Sequence, residues 1–466
     1  MSIPRSISRR TFLRQACCNA VGTTGFLSAL SQLQAIGAVS SDAVRSRAAA
    51  TVGEFKALVC LFLSGGNDGT NVLIPFDTSS YADYARLRSV VAVARDALLP
   101  ISPRTYADGK SYALNPRLPG LKSLFDQGKL AFLGNVGTLV RPTDLADYRA
   151  GRALPNQLYS HLDQQVQWQS SLPDQPSFTT GWGGRLSEAV NDLNANPAIS
   201  MSLSLDGENY FGVGKALVPY RINAGGVEMM SGFNRTGLHR SHYLTIQKML
   251  ANSPDHVMAS AFNSITTSAI GQSELLAAAL QGAPAIRTPF PSGNYTAQRL
   301  NMVARMLTLA PSLGLNRQVF FIRVGGFDTH SSQVVGHANL LTELDGAIAA
   351  FHAATVELGF ADKVTLFTAS DFGRTYVPNS EGTDHGWGNI QWVVGGAVKG
   401  GDIYGQMPSL VVNGPDDTGR GRWIPSTSVD EYNATLAKWF GVSDTNMPVV
   451  LPNIGRFVKK DLGFMG

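Results

Sequence analysis

Three segments of the chain share one pattern, a nearly unbroken apolar run that ends in a short polar loop containing glycine. Leu58 to Leu63 leads into SGGNDG, Gln318 to Val324 leads into GGFDTH, and Lys363 to Thr368 leads into ASDFGR. Apolar runs of this length are typical of strands buried on both faces of a parallel sheet. We therefore predict three such strands.

Helical patterns lie between or after the predicted strands. Residues 333–358 place leucine, isoleucine and phenylalanine three or four positions apart, on one helix face. Ser428 and Glu431 form a predicted capping box, which opens a helix that ends at Phe440, before Gly441. Strands alternating with helices predict an α/β fold, with a mainly parallel sheet flanked by helices.

The middle of the chain, about 190–315, has a different composition and is rich in Ala, Ser, Asn and Leu. One helix in it is predicted to begin with Ser253 as cap and Pro254 at its first position. We expect a helical insertion here, within a single α/β domain that covers residues 54–466.

The first 40 residues resemble an export signal. Arg9 and Arg10 precede an apolar stretch of small residues, as in twin-arginine signals, which export folded proteins through the twin-arginine translocase. The alternative is a lasting membrane anchor, but Asn19, Gly22 and Gly25 interrupt the apolar stretch. We expect removal of residues 1–40, a polar linker at 41–53, a periplasmic or secreted protein and no stable membrane anchor.

The formal net charge of +4 comes from the predicted signal, which carries four arginines and no acid. The remaining basic residues then balance the 34 acidic ones. A neutral chain gives no electrostatic reason to expect nucleic acid as a partner. Cys60 would be the one cysteine left, so we predict no intramolecular disulfide and expect Cys60 in the core.

Candidate chemistry lies in the loops after the three predicted strands, because ligands bind beyond the carboxyl ends of such strands. Each loop carries an aspartate: Asp68, Asp328 and Asp371. If the strands are neighbours, the carboxylates converge and need protons or metal ions to neutralise them. The alternative is that they are ordinary turn residues.

Histidines strengthen the metal hypothesis. His330 follows Asp328 at i+2, and His385 lies beside Asp384 in the glycine-rich stretch GTDHGWGN. Mixed Asp and His ligands suit zinc, manganese or iron, and carboxylates also accept magnesium or calcium. The predicted metal ligands are Asp68, Asp328, His330, Asp371 and His385, with His161 and Asp384 as less certain members.

Ser160 is the candidate nucleophile, because it precedes a predicted helix whose N-terminus would favour an anion. The alternatives are that Ser160 is only an N-cap and that the adjacent His161 is structural. Arg374 is a candidate clamp for an anionic group, or the partner of a carboxylate.

Several sequence blocks in order give the chain a resemblance to the bacterial family called domain of unknown function 1501. They include SRRTFL, FLSGGNDGTNVLIP, SHLDQQ, RQVFFIRVGGFDTH, SDFGRT, GTDHGWGN and LPNIGRF. The family is distantly similar to the alkaline phosphatase and sulfatase superfamily. That resemblance implies an alkaline-phosphatase-like α/β fold with a one- or two-metal centre.

The resemblance also implies roles for single residues. Asp68 matches a first-strand metal aspartate, Ser160 falls where the nucleophile comes in chain order, and Asp328 with His330 resembles the later ligand pair. Asp371 and His385 match further ligands, although the superfamily's Asp-His pair is Asp371-Phe372 here.

The sequence thus predicts an exported, metal-dependent hydrolase-like protein that acts on an anionic phosphate or sulfate ester, of a small molecule or a glycan. Two alternatives stay open. One is a non-catalytic binding or cell-surface assembly protein of the same fold, and the other is a hydrolase that uses activated water without a covalent intermediate.

Overall fold

The computed structural model describes residues 54–176, 178–195, 199–227, 236–252 and 257–466. The predicted signal peptide, the linker and the predicted cap at Ser253 and Pro254 lie outside these residues. Among the helices that can be described, none is long and apolar enough to cross a bilayer.

The described chain contains twelve strands, eleven α-helices and several short 3-10 helices. The strands are β1 (Lys56–Leu63), β2 (Leu73–Pro75), β3 (Leu99–Ile101), β4 (Tyr112–Leu114), β5 (Leu130–Gly137), β6 (Ser202–Ser204), β7 (Tyr220–Arg221), β8 (Arg317–Val324), β9 (Val364–Ser370), β10 (Asn389–Gly395), β11 (Asp402–Gly405) and β12 (Thr427–Ser428). The α-helices are α1 (Thr78–Arg88), α2 (Pro119–Asp126), α3 (Leu145–Arg149), α4 (His161–Ser170), α5 (Trp182–Ala189), α6 (Arg240–Ala251), α7 (Val257–Gln281), α8 (Tyr295–Leu309), α9 (Gln333–Glu357), α10 (Val429–Phe440) and α11 (Met447–Val450). Short 3-10 helices lie at Gly69–Asn71, Ser89–Val91, Arg95–Ala97, Asn191–Leu193, Gly237–His239, Ala361–Lys363 and Ile454–Arg456.

The main sheet has the strand order β11-β5-β10-β9-β1-β8-β6-β7, with β12 also paired to β5. β1 lies between β8 and β9 and is parallel to both. β10 runs antiparallel to its two neighbours, so the sheet is mostly parallel. The three strands predicted from apolar runs are therefore adjacent, and the predicted mainly parallel sheet is confirmed.

Both faces of the sheet are covered by helices, as the apolar runs require. Alternate residues of β1 enter two separate cores, with Val59 and Leu61 in one and Cys60 and Phe62 in the other. Helices α8 and α9 pack on the first face, and α5 and α10 pack on the second. This two-sided burial explains why β1 shows no alternation of polar and apolar residues.

The predicted helices at residues 333–358 and after Ser428 are confirmed as α9 and α10, the latter with its capping box. The region 190–315 contains α6, α7 and α8, and it also supplies the edge strands β6 and β7. Helix α8 packs in the core on the first face of the sheet, so this helix of the region is one of those that cover the sheet.

Candidate metal centre

The site lies where the loops after β1, β8 and β9 meet. Asp328 and His330 follow β8, and Asp371 follows β9 directly. His161 is the first residue of α4, and His385 lies in the loop that enters β10. The fold thus groups four of the five predicted ligands around His161 and one another, whereas Asp68, at the same edge of the sheet, contacts other residues.

Three imidazoles surround one carboxylate oxygen. The Nε2 atoms of His330, His161 and His385 lie 3.1, 3.4 and 3.5 Å from Asp328 Oδ1. His330 Nε2 is also 2.9 Å from His385 Nε2. Four ligands bound to a tetrahedral zinc ion at its usual bond lengths are about 3.3 Å apart. His161, Asp328 and His385 each place one ligand atom within 4.8 Å of the other two, so the spacing of these three residues permits a shared metal ion, and His330 lies beside them.

Each imidazole turns its Nδ1 atom away from Asp328 and onto an oxygen. The pairs are His161 with Asp371 Oδ2 at 2.7 Å, His330 with Asp384 Oδ1 at 3.3 Å, and His385 with the Tyr159 carbonyl at 2.7 Å. Histidines that bind metals usually donate their second ring N–H in this way. Within the described chain, His161 Nε2 is buried and has no hydrogen-bond partner, so it fits a ligand atom.

Asp371 orients His161 from a fully buried position. Its Oδ2 also accepts a bond of 2.8 Å from Gln165 Nε2, and its Oδ1 accepts one of 3.1 Å from the Gly65 amide. A Cβ at Gly65 would lie 2.3 Å from the Asp328 backbone nitrogen, and the φ there is +116°. Glycine at position 65 is thus required for the loops after β1 and β8 to approach each other.

Phe372 forms the wall behind two of the histidines. Its ring stacks on His385 with centroids 4.7 Å apart and lies 4.8 Å from the His161 ring. Position 372, where the superfamily resemblance suggests a histidine, therefore holds a phenylalanine that packs on the imidazoles. His161 is one of the imidazoles beside it.

Asp68 lies apart from the imidazole group. Its buried carboxylate accepts bonds from Thr70 Oγ1 at 2.7 Å, from Gln333 Nε2 and from the guanidinium of Arg88. Burial by itself would raise the pKa of Asp68, but the charge of Arg88 and the hydrogen bonds from Thr70 and Arg88 outweigh it and lower the pKa. A role as metal ligand would require these bonds to break.

Ser160 and Arg374 both have protein partners. Ser160 caps α4, and its hydroxyl donates to Asp163 Oδ2 at 2.5 Å, as the N-cap alternative proposed. Arg374 is buried and donates through Nη1 to Asp328 Oδ1 at 2.9 Å and to the Gly65 carbonyl at 3.1 Å. Its partner is therefore a carboxylate of the site itself.

The pKa shifts follow from these contacts. The hydrogen bond that His161 donates to Asp371 raises the pKa of His161 above its usual value, whereas burial lowers the pKa of His385. Burial would raise the pKa of Asp328, but the bond and charge of Arg374 outweigh it and lower that pKa. The shifts favour neutral His385 and ionised Asp328, the forms in which both bind metals, whereas the raised pKa of His161 favours its protonated form.

Three features of the site were not identified from the sequence, and only the first of them, Gln165, had a local sequence signal. Gln165 could have been found, because it lies four positions after His161 on one helix face and reaches the same carboxylate oxygen. Arg88 is 20 positions from Asp68 along the chain, and no local pattern pairs them. The carbonyl of Tyr159 depends on a left-handed backbone, with a φ of +76°.

Comparisons with solved structures find related shapes at low similarity. A sulfatase, PsFucS1 from Pseudoalteromonas sp., is 11% identical, with 90% of this chain and 71% of that chain covered and a TM-score of 0.36. The C-terminal periplasmic domain of EcEptC from Escherichia coli, in complex with Zn, is 10% identical, with coverages of 74% and 73% and a TM-score of 0.32. A mutant of the alkaline phosphatase PafA is 12% identical, with coverages of 70% and 64% and a TM-score of 0.25. Because each TM-score is below 0.5, these matches carry no conclusion about activity.

A search of curated proteins finds no match. The family described as "Protein of unknown function (DUF1501)" matches residues 229–447, a range that contains Asp328, His330, Asp371 and His385. The resemblance of this chain to the DUF1501 family is thus confirmed over residues 229–447.

Proposed function

We propose that the chain binds one divalent metal ion through His161, Asp328, His330 and His385 and hydrolyses a phosphate or sulfate ester. The observation that carries this proposal is the convergence of three Nε2 atoms on Asp328 Oδ1. A set rich in imidazole nitrogen suits zinc better than magnesium or calcium. A divalent ion held there would supply a Lewis acid for an ester oxygen.

The charges around the site support an anionic substrate. Three carboxylates and three guanidinium groups bond to the histidines, to their backbone or to one another, and their charges cancel. They are Asp328, Asp371, Asp384, Arg374, Arg420 and Arg422. With neutral imidazoles, a divalent ion would leave an excess of one positive charge once the Asp163 carboxylate beside Ser160 is counted, and this excess attracts phosphate or sulfate groups.

Exposure supports access from solvent. The side chains of Asp328 and His330 are 46% and 43% exposed, whereas Asp371 and Arg374 behind them are fully buried. The ligand group therefore has one open side, where an ester group attached to a larger molecule such as a glycan can approach.

Ser160 is the proposed nucleophile. Its hydroxyl donates to Asp163, a carboxylate that can take the proton, and it lies next to His161 in the chain. The backbone N–H groups at the start of α4 would stabilise a bound anion. Export, inferred from Arg9 and Arg10, is part of the same proposal and places this chemistry outside the cytoplasm.

One observation favours the second candidate, a non-catalytic metal-binding protein of the same fold. The Ser160 hydroxyl is engaged as a cap, and the donors of Arg374 are used on Asp328, Gly65 and Thr383. In that case the ion would bind an anionic ligand without turnover.

Two measurements on the purified mature protein test the proposal. We expect elemental analysis to find about one zinc or manganese ion per chain, and a His385→Ala variant to lose it, whereas the exposed His239→Ala variant keeps it. We further expect hydrolysis of aryl phosphates or sulfates, lost in Ser160→Ala with the metal retained. Metal without turnover on either ester class would support the second candidate, and a wild-type protein that binds no divalent ion would reject both.

A further inference from the structure

We propose that Asp68 is a positioning residue, which acts on Asp328 through a chain of hydrogen bonds that we call the Asp68 relay. The relay consists of Asp68, Gln333, Thr383 and Arg374. It rests on the proposed metal site and assigns to Asp68 a task other than that of a ligand.

The relay begins at a fixed charge. The side chains of Asp68 and Arg88 are both fully buried, and they form an ion pair. Arg88 also donates to the carbonyls of Thr375 and Tyr376 at 2.9 and 3.0 Å. With water excluded, the carboxylate of Asp68 is held by Arg88, Thr70 and Gln333 alone, so its position is well determined.

The direction of each following bond is set by the one before it. An ionised carboxylate only accepts hydrogen bonds, so Gln333 must present its NH2 group to Asp68. The Gln333 Oε1 atom then accepts the hydroxyl hydrogen of Thr383 at 2.6 Å. This leaves the lone pairs of the Thr383 oxygen to accept Arg374 Nε–H at 3.3 Å.

The relay ends on the oxygen where the imidazoles converge. The Arg374 guanidinium is fully buried, and its Nη1 lies 2.9 Å from Asp328 Oδ1. The planar guanidinium has fixed directions for its donors, so the bond at Nε, together with those to the Gly65 and Thr383 carbonyls, sets how Nη1 meets Asp328. The relay therefore fixes the direction of the Asp328 carboxylate, and with it the place of the proposed ligand oxygen.

Thr383 is the residue at which the relay can be cut without touching a proposed ligand or the buried ion pair. A Thr383→Val variant keeps the shape and removes the hydroxyl, whereas Thr383→Ser keeps the hydroxyl. Thr355→Val is the matched control, because the hydroxyl of Thr355 is also buried and donates to a carbonyl of α9 at 2.7 Å without reaching the site. The probe is Zn²⁺ titrated into metal-free protein.

We expect Thr383→Val to bind Zn²⁺ roughly 10–100-fold more weakly than wild type, the usual effect of losing a partner behind a metal ligand. Thr383→Ser should bind Zn²⁺ nearly as tightly as wild type. Thr355→Val should bind Zn²⁺ as tightly as wild type, even where its free energy of unfolding is lower. Wild-type affinity in Thr383→Val, or an equal loss in Thr355→Val, would overturn the relay while leaving the metal site in place. No Zn²⁺ binding by wild type would reject the proposed function, and the relay with it.

Discussion

At the scale of single residues, the site depends on a close approach at Gly66. A Cβ there would lie 2.6 Å from the ring of Phe372, the ring that supports His161 and His385, and the φ of Gly66 is +85°. Gly109 has nearly the same φ, +83°, but an added Cβ would meet no atom within 4 Å. Comparing an alanine substitution at Gly66 with one at Gly109 therefore separates the cost of backbone strain, which both share, from the cost of displacing Phe372.

We predict that Gly109→Ala lowers the free energy of unfolding by about 1–2 kcal/mol, the cost of a left-handed backbone for a residue with a Cβ. Gly66→Ala should cost a further roughly 1–3 kcal/mol from overpacking. It should also weaken Zn²⁺ binding, because Phe372 must move with the histidine rings that stack on it. Urea unfolding and Zn²⁺ titration of both variants measure the two effects, and equal behaviour of the variants would contradict this view of Phe372.

The donor residues of the site were predictable because aspartate and histidine stood in loops after recognisable strands. The sequence did not predict which of these residues would face the proposed metal and which would support the others. Asp68, Asp328 and Asp371 occupy similar positions in sequence, yet one pairs with Arg88, one faces three imidazoles and one orients His161. Which neighbour each carboxylate meets depends on residues far away in the chain.

At the scale of elements, α10 has the best defined start. The Ser428 side chain accepts a hydrogen bond from the Glu431 amide at 3.0 Å, and the Glu431 side chain accepts one from the Ser428 amide at 2.9 Å. Both residues are buried, so water cannot replace the bonds fully. The sequence predicted this cap because its signal is local, within four residues.

We predict that Ser428→Ala lowers the free energy of unfolding by about 0.5–2 kcal/mol, since the N-cap acceptor is lost. Ser428→Gly is the control and should cost only a few tenths, about 0.3 kcal/mol, because glycine leaves the cap accessible. Thermal unfolding of the two variants compares them directly. Zn²⁺ affinity should stay at the wild-type value in both, because α10 contributes no residue to the proposed ligand group.

At the scale of the whole molecule, the proposed ligands connect distant parts of the chain. His161 belongs to α4, Asp328 and His330 follow β8, and His385 precedes β10. These segments are separate in the unfolded chain, so an ion that they hold together in the folded state stabilises that state alone.

We predict that Zn²⁺ at about 100 times its dissociation constant adds about 2.7 kcal/mol to the free energy of unfolding. A chelator should remove this gain and lower the unfolding temperature of wild type. A His161→Ala/His385→Ala variant should show no response to either Zn²⁺ or chelator, because two ligands are missing. A chelator effect of equal size in that variant would place the ion elsewhere.

The sequence by itself determined the mainly parallel sheet, its three central strands, the helices α9 and α10, and the aspartates and histidines near one edge. These follow from local hydrophobic pattern and from positions directly after strands, which a short window of residues carries. Only the tertiary structure decided that Arg88 neutralises Asp68, that His161 joins His330 and His385, and that Arg374 is bonded to Asp328. Those pairings join residues at least 20 positions apart, for example Asp68 with Arg88 and Asp328 with Arg374, and tertiary packing selects among the available partners.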